Sequence, residues 1–336
     1  MRTCIAFAML ILFSVPANSQ ELFIQNQPAS SVPKGVLGVR AFVDTYKADA
    51  TQRNLDAVRV MYGLTSKLSI SLTASESNHH GKNLPKNLIT HTHIGNQTVF
   101  YTQSISRGIP YPYRFNGFYF YAQYRFLSID GQNSHFRMSA YGEYSNVNDA
   151  HDEAEPNLLD DTKGVGAGLI ITCLKNRFSA SLTTGVIISG SYEETVPVGN
   201  GSILFTDTKI NYGRAVKYNL SFGYLLFPKE YQDYNQNNWN IYLEFMGKSF
   251  QAATVIQDGI PVAVQTPLLK AGNYVEVYPG IQKIINSNLR IDFSVGFPLI
   301  NGSYTRFYPV YMIGVQRYFF QNKKSKKIKD IKNKNN

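Results

Sequence analysis

In several strand-like segments of the chain, charged side chains stand on the polar face of an alternating apolar and polar pattern. Arg290 and Asp292, for example, alternate with Leu289, Ile291 and Phe293. Successive side chains of a strand point to opposite faces, so these charges gather on one face. Charges that share the interior of a barrel form a salt-bridged plug network or select solutes in a channel. The candidate residues are Arg40, Asp44, Arg59, Arg125, Arg137, Glu143, Lys217, Glu244, Lys248, Glu276, Arg290 and Asp292.

The histidines could supply two other chemistries, metal binding and general-base catalysis. They are His79, His80, His91, His93, His135 and His151. His91 and His93 would share one strand face, but the spacing fixes no carboxylate or thiolate partner for a metal. His135 and His151 stand in no recognisable arrangement with a serine nucleophile. We therefore expect no metal, no cofactor and no enzymatic activity.

Segments of alternating apolar and polar residues must position these charges. In the segment 217–227, Leu220 lies on the apolar face and Asn219 on the polar face, so arginine should be tolerated at Asn219 only. Such segments lie near 35–46, 54–63, 67–75, 117–127, 134–145, 164–174, 176–190, 217–227, 239–250, 273–285, 289–297 and 305–320. Most of them reach the roughly 9–11 residues that a tilted membrane strand needs. The predicted fold class is all-β, a single antiparallel up-and-down transmembrane β-barrel of about twelve strands.

The connections between these segments alternate in length. Short ones, such as 63–66, 174–176 and 286–288, alternate with longer ones, such as 148–163 and 251–272. Outer-membrane barrels have short periplasmic turns and longer external loops. Both termini of the chain are therefore expected on the periplasmic side.

Three of the long loops contain tight-turn signals between alternating runs. These are Gly95-Asn96, Gly199-Asn200-Gly201 and Asp258-Gly259. Because such turns favour hairpins, we expect external hairpin loops above the membrane. The loop 79–116 could instead hold two more membrane strands, for a total of fourteen. Its short, polar runs favour twelve.

The two ends of the chain differ in composition from its middle. Arg2, the apolar run Ile5–Val15 and the small residues Ala17-Asn18-Ser19 predict a signal peptide cleaved before Gln20. Lys323–Asn336 hold seven lysines and one aspartate, which is +6 of the formal net charge of +10. The predicted division is 1–19 signal peptide, 20–34 periplasmic N-terminal segment, 35–320 transmembrane β-barrel and 321–336 disordered basic tail.

Composition also argues against several classes of protein. Charged residues make up only 17% of the chain and aromatic residues 13%, whereas soluble domains have about 25% charged residues. Removing the tail and Arg2 leaves +3 of the net charge of +10, which gives little support for nucleic-acid binding. Cys173 is the one cysteine beyond the predicted signal peptide, so no internal disulfide is expected. An exported β-sandwich remains the alternative fold, and it would need a partner sheet for its apolar faces.

The strand pair around Val60–Ile70 resembles a hairpin of Gram-negative outer-membrane barrels of the phenol-degradation MetA-like type. Tyr278–Gln282 and Val295–Pro298 are similar in kind. The resemblance rests on a tight turn with flanking strands. It implies a barrel that passes small, often hydrophobic, molecules, and it implies no catalytic residue.

The predicted function is that of an outer-membrane channel or uptake protein for small solutes. The alternative is a structural or surface-interaction barrel with a plugged lumen and functional external loops. The expected partners are outer-membrane lipid, a small-molecule solute and the barrel-assembly machinery, which would recognise the terminal aromatics Tyr318-Phe319-Phe320. No nucleic acid is expected as a partner.

Overall fold

The computed structural model describes residues 22–48, 51–78, 91–94, 97–100, 112–148, 153–197, 205–229, 237–263 and 267–320. The predicted signal peptide and basic tail lie outside these residues, as do His79, His80 and His151. His91 and His93 belong to a described strand, but their side chains lie outside the description. Among the described residues, no helix has the length and apolarity needed to cross a bilayer.

Twelve antiparallel strands form a closed barrel, as the alternation predicts. The barrel closes where β1 (Val36–Ala48) pairs with β18 (Val310–Phe320), from Val36 opposite Phe320 to Thr45 opposite Tyr311. Its strands are β1 (Val36–Ala48), β2 (Thr51–Gly63), β3 (Leu68–Ser77), β6 (Arg114–Asp130), β7 (Ser134–Ser145), β8 (Gly164–Lys175), β9 (Phe178–Ser189), β12 (Arg214–Phe227), β13 (Asn238–Phe250), β16 (Gly272–Ile285), β17 (Leu289–Ile300) and β18 (Val310–Phe320).

The remaining six strands belong to two sheets outside the barrel. β10 (Ser191–Pro197), β11 (Phe205–Asn211), β14 (Thr254–Gln257) and β15 (Ile260–Val262) form one sheet, and β4 (His91–Ile94) pairs with β5 (Gln97–Phe100). Asp258 and Gly259 both have positive φ in the β14–β15 turn, at 47° and 80°. The hairpin at Asp258-Gly259 is thus confirmed. β4 pairs with β5 and β10 with β11, as the other two signals predict, while the turn residues 95–96 and 199–201 lie outside the described residues. Among the described residues the barrel closes with twelve strands, and none of them comes from 79–113.

Tight turns join the barrel strands at one end, which we call the short-turn end. Asn176, Asn286 and Ser287 adopt positive φ there, at 53°, 50° and 51°. Asparagine tolerates this left-handed conformation better than most residues. β1 begins and β18 ends at this same end, beside each other.

The two faces of the strands separate as the sequence predicts. Leu220 and Phe293 point outward and are 39% and 42% exposed, while Asn219 and Ser221 are buried inside the barrel. Aliphatic and aromatic side chains cover the outside in the same way on every barrel strand. Such a belt is suited to contact with lipid chains.

The segment before β1 lies inside the barrel, which corrects one prediction. The sequence pattern placed residues 20–34 in the periplasm, yet Phe23, Ile24 and Ala29 are fully buried within the lumen. Lys34 then pairs with Gly63 at the short-turn end, where the segment enters the barrel. We call residues 22–34 the N-terminal segment. Its first residues, Leu22, Phe23 and Ile24, are apolar and occupy part of the lumen.

Candidate functional site in the lumen

Glu244 anchors the N-terminal segment in the middle of the barrel. Its Oε1 accepts hydrogen bonds from the backbone N–H groups of Ile24 and Gln25, both at 2.8 Å, and its Oε2 accepts one from Asn26 at 3.0 Å. Ser221 donates a further bond to Oε2 at 3.0 Å. Bonds to a charged acceptor are stronger than neutral ones. One carboxylate therefore satisfies three consecutive backbone donors that would otherwise be buried without partners.

A second cluster holds the carbonyl groups of the same segment. Arg290 donates to the Phe23 oxygen, and Arg40 donates to the Ile24 oxygen at 2.9 Å. Asp292 lies between the two guanidinium groups, 2.7 Å from Arg290 Nε and 3.2 Å from Arg40. These charges are buried, and they are compensated both by each other and by the backbone of the segment.

The rest of the N-terminal segment bonds to the opposite wall. Ala29 donates to Thr172 Oγ1 at 2.8 Å and accepts from Ser139 Oγ at 2.6 Å. Arg137 donates to Ser30 Oγ at 2.8 Å. The segment therefore crosses the lumen and contacts strands on both sides. These contacts are hydrogen bonds, so water molecules could bond to the same groups if the segment moved out of the lumen.

A loop closes the other end of the lumen. Within the β7–β8 connection, Glu155 is buried and accepts hydrogen bonds from Lys248 at 2.9 Å, Tyr274 at 2.7 Å and Ser303 at 2.7 Å. Burial alone would raise the pKa of Glu155, but Lys248 and the hydroxyl donors lower it below its usual 4.5. The carboxylate thus ties residues 153–162, which we call the mouth loop, to β13, β16 and the connection between β17 and β18.

Replacing Lys248 with methionine should release the mouth loop. Glu155 would remain buried without its cation, and breaking a buried pair in this way costs about 3–5 kcal/mol. We expect the amide of Ala154, which donates to Leu268 at 2.8 Å, to lose at least about tenfold of its hydrogen-exchange protection. Lys209→Met is the control, because that lysine pairs with Glu193 on the exposed external sheet.

The same contact should respond to acid. Because the pKa of Glu155 is lowered by folding, its contribution is present above the ordinary 4.5 and is lost as the pH falls below that value. Protection of Ala154 should therefore drop in acid in the wild type and change less in Lys248→Met. Equal protection in both proteins at neutral pH would contradict this role for Lys248.

A cavity of about 200 Å³ remains between the N-terminal segment and the mouth loop. Its floor includes Ile24 and Gln25, and Leu159 of the mouth loop lies at its top. The wall residues are Arg40, Phe42, Asp44, Arg59, Lys217, Asn219, Met246, Gly247, Lys248, Tyr274, Glu276, Tyr278, Arg306 and Met312. Charged groups thus line a space at the centre of the barrel.

Two glycines help to position Lys217 in this wall. Gly168 and Gly185 face each other across β8 and β9, and a Cβ atom at Gly185 would come within 2.0 Å of the Tyr141 hydroxyl. Tyr141 therefore lies across them, and its ring centroid is 4.7 Å from Lys217 Nζ. Lys217 Nζ is also 2.6 Å from Glu143, so its position is fixed from two sides.

The predicted charged residues separate into groups within the barrel. Six of them line the cavity: Arg40, Asp44, Arg59, Lys217, Lys248 and Glu276. Glu143 lies behind Lys217, while Glu244, Arg290, Asp292 and Arg137 hold the N-terminal segment. Arg125 is apart from both groups, because it bonds to the Ser66 oxygen at the short-turn end.

Sequence reasoning missed the residues that close the lumen. Glu155 lies in a loop that the loop lengths predict to be external, and Arg306 lies within the predicted strand segment 305–320 but precedes β18, which begins at Val310. Arg306 donates to the Tyr278 hydroxyl at 2.8 Å and lies 3.7 Å from Glu276. The apolar run Leu22-Phe23-Ile24 was an available signal, because such a run is unusual in a solvated periplasmic segment.

His135 lies with Asp130 and Ser128 at the short-turn end, but not in a hydrolase arrangement. His135 Nδ1 is 2.6 Å from Asp130, and Ser128 donates to the same carboxylate at 2.7 Å. In a catalytic triad the serine hydroxyl bonds to the histidine. Here Asp130 takes both bonds, so the histidine is not placed to activate this serine.

The barrel is similar to an outer membrane channel of Pseudomonas putida F1. The TM-score is 0.53 at 12% identity, over 88% of this chain and 100% of that chain. The β domain of the Bordetella autotransporter BrkA gives a TM-score of 0.37 at 10% identity, over 86% and 100% of the two chains. The Pseudomonas putida toluene transporter TodX gives 0.35 at 10% identity, over 84% and 87%. The first likeness shows the outer-membrane barrel fold, and the other two are too distant to add to it.

No protein-family model matches the chain, and no curated protein matches it in sequence. The resemblance to MetA-like barrels therefore remains a prediction from the hairpin motifs.

Proposed function

We propose that this protein is an outer-membrane channel for small polar solutes and that its N-terminal segment closes the lumen at rest. The observation that supports this proposal most directly is a cavity of about 200 Å³, lined by charged side chains, inside a barrel with an apolar exterior. Placing charge inside a barrel rather than on its lipid face is the arrangement of a polar conduit. The MetA-like resemblance supports a role in the passage of small molecules.

Opening requires movement of the N-terminal segment. Its bonds to Glu244, Arg40 and Arg290 are polar, and water can take over each of them. The segment continues into β1 through Lys34 and Gly35 at the short-turn end. The hydrogen bonds described above link it to side chains of the barrel strands, so it can leave without disturbing strand pairing. We propose that the short-turn end faces the periplasm, where the segment would emerge.

We also propose that the predicted signal peptide is cleaved before Gln20, as the sequence pattern indicates.

We also propose passage of solutes rather than catalysis. Among the residues that the structure describes, no group of three His, Cys, Asp or Glu residues could hold a metal ion. The arrangement at His135 offers no activated serine. The lumen charges are engaged with one another and with backbone groups, which suits selection or closure.

Conductance in planar bilayers tests the proposal. A variant that lacks residues 22–33 should conduct in long-lived, discrete steps, and the wild type should open rarely and briefly. Heat-modifiable gel mobility serves as the control, because both proteins must be folded barrels for the comparison to count. Sealed bilayers with both folded proteins would contradict a channel.

Sealed bilayers with both folded proteins would favour a structural or surface-interaction barrel. One observation supports this alternative: β10, β11, β14 and β15 form an organised sheet beyond the barrel strands. With the N-terminal segment and the mouth loop permanently in place, this external sheet would be the working part of the molecule.

A further inference from the structure

Two pairs of like charges face each other across neighbouring strands of the cavity wall. Arg40 lies opposite Arg59 in the β1–β2 register, and Lys217 lies opposite Lys248 in the β12–β13 register. All four side chains line the cavity. Like charges directly opposite each other have Cβ atoms about 4.5–5.5 Å apart and are destabilising. The arrangement costs stability unless negative charge offsets it.

The carboxylates of the protein offset this charge only in part at the cavity surface. Glu143 and Glu155, the partners of Lys217 and Lys248, have side chains that are 2% and 1% exposed, and neither lines the cavity. Among the described residues, the cavity is therefore lined by five cationic side chains and two carboxylates: Arg40, Arg59, Lys217, Lys248 and Arg306, with Asp44 and Glu276.

Three cationic side chains of the cavity wall have more N–H donors than their hydrogen bonds use. An ammonium group has three N–H donors and a guanidinium group has five. Lys217 uses one on Glu143, Lys248 uses two on Glu155 and the Pro156 oxygen, and Arg306 donates to the Tyr278 hydroxyl. The remaining donors of these wall residues are available to an acceptor inside the cavity.

Asp44 supplies the complementary group. Its Oδ1 is buried and has no hydrogen-bond partner among the residues that the structure describes. It lines the same cavity, and buried acceptors without partners are uncommon. A ligand with its own hydrogen-bond donor could satisfy this oxygen.

We propose that the cavity binds a small organic acid that carries a carboxylate together with a hydroxyl or amino group. The carboxylate accepts from Lys217, Lys248 and Arg306, and the donor group bonds to Asp44. Phe42, Met246 and Met312 provide apolar wall for a short hydrocarbon body. The cavity of about 200 Å³ has room for roughly six water molecules, and so for a solute of on the order of six to ten non-hydrogen atoms.

This inference rests on the proposed function in one respect, since the solute must enter when the N-terminal segment moves. It names the class of solute that the channel would select. Binding itself can be measured without any flux.

Saturation-transfer NMR on the detergent-solubilised full chain tests the proposal with three probes. Lactate has both groups, glycerol has the same number of non-hydrogen atoms without charge, and propionate has the carboxylate without the hydroxyl. We expect saturable binding of lactate, weaker binding of propionate and none of glycerol. Glycerol binding as well as lactate, or no saturable lactate signal, would overturn the proposal.

Variants assign the binding to this cavity. Lys217→Met should weaken lactate binding about tenfold or more, because it removes a charged donor. Asp44→Ala removes the acceptor for the hydroxyl group and should bring lactate down to the level of propionate. Arg125→Gln is the matched control, because Arg125 lies at the short-turn end away from the cavity, and it should leave the affinity unchanged. Equal affinity in Lys217→Met and the wild type would place the binding elsewhere.

The binding and conductance experiments fail separately. Lactate binding with sealed bilayers would remove the channel and keep the binding site. Lactate binding is also measured in Glu244→Ala, in which the displaced segment leaves the cavity accessible. Conductance without saturable lactate binding in either protein would support the channel and contradict the binding site.

Discussion

Replacing Glu244 with alanine is expected to raise the open fraction of the channel at least about tenfold over the wild type. The change leaves the backbone N–H groups of Ile24, Gln25 and Asn26 without their acceptor inside the lumen. Each hydrogen bond to a charged group contributes about 1.5–3 kcal/mol, and 1.4 kcal/mol is already a factor of ten in an equilibrium. Displacement lets water satisfy the three donors. The open fraction in planar-bilayer recordings measures the effect.

Glu193→Ala is the control for this variant. Glu193 lies on the external sheet, where it is exposed and pairs with Lys209 at 2.6 Å. Its loss should leave the open fraction unchanged. If the Glu244 variant is a folded barrel by gel mobility and opens no more than the control, Glu244 does not hold the closed state. Ser221 donates to the same carboxylate, so Ser221→Ala should have a smaller effect in the same direction.

Leu220→Arg is expected to destabilise the folded barrel by about 2–4 kcal/mol. Leu220 points outward near the middle of β12, where it is 39% exposed on the apolar belt. A charged side chain there would lie in the hydrocarbon layer. The folded fraction, measured by heat-modifiable gel mobility over a urea titration in lipid vesicles, reports the loss.

Ser249→Arg is the matched control for depth in the membrane. Ser249 is exposed on the same outer face, one residue before the end of β13. Near the interface an arginine should cost only about 0–1 kcal/mol. Equal destabilisation by the two substitutions would mean that the outer surface at Leu220 does not face lipid.

Asn219→Arg is no longer a suitable control, although the alternation alone predicts that it is tolerated. Asn219 is buried and donates to Asn26 of the N-terminal segment at 2.7 Å. An arginine there would displace the segment or remain without space. The assignment of Asn219 to the inner face is correct, but the inner face is not free.

The sequence predicted the barrel strands well because period-two alternation is a local property. Within β12, the side chain of every second residue meets lipid, and this pattern is visible without knowing the neighbouring strand. The turn at Asp258-Gly259 is equally local, since it depends on residues that tolerate positive φ. Alternation also placed Arg40, Lys217 and Glu276 on the inner face, where the structure has them.

The closure of the lumen depends on contacts that no local pattern contains. Ile24 and Glu244 bond although they are 220 residues apart in the chain, and Glu155 and Tyr274 are 119 residues apart. Neither partner has a sequence signature that specifies the other. The sequence by itself therefore determined which segments form strands, which side chains face lipid and which charged side chains face the interior. Only the tertiary structure decided which charges surround a cavity and which hold the N-terminal segment, because that depends on how the closed barrel brings distant residues together.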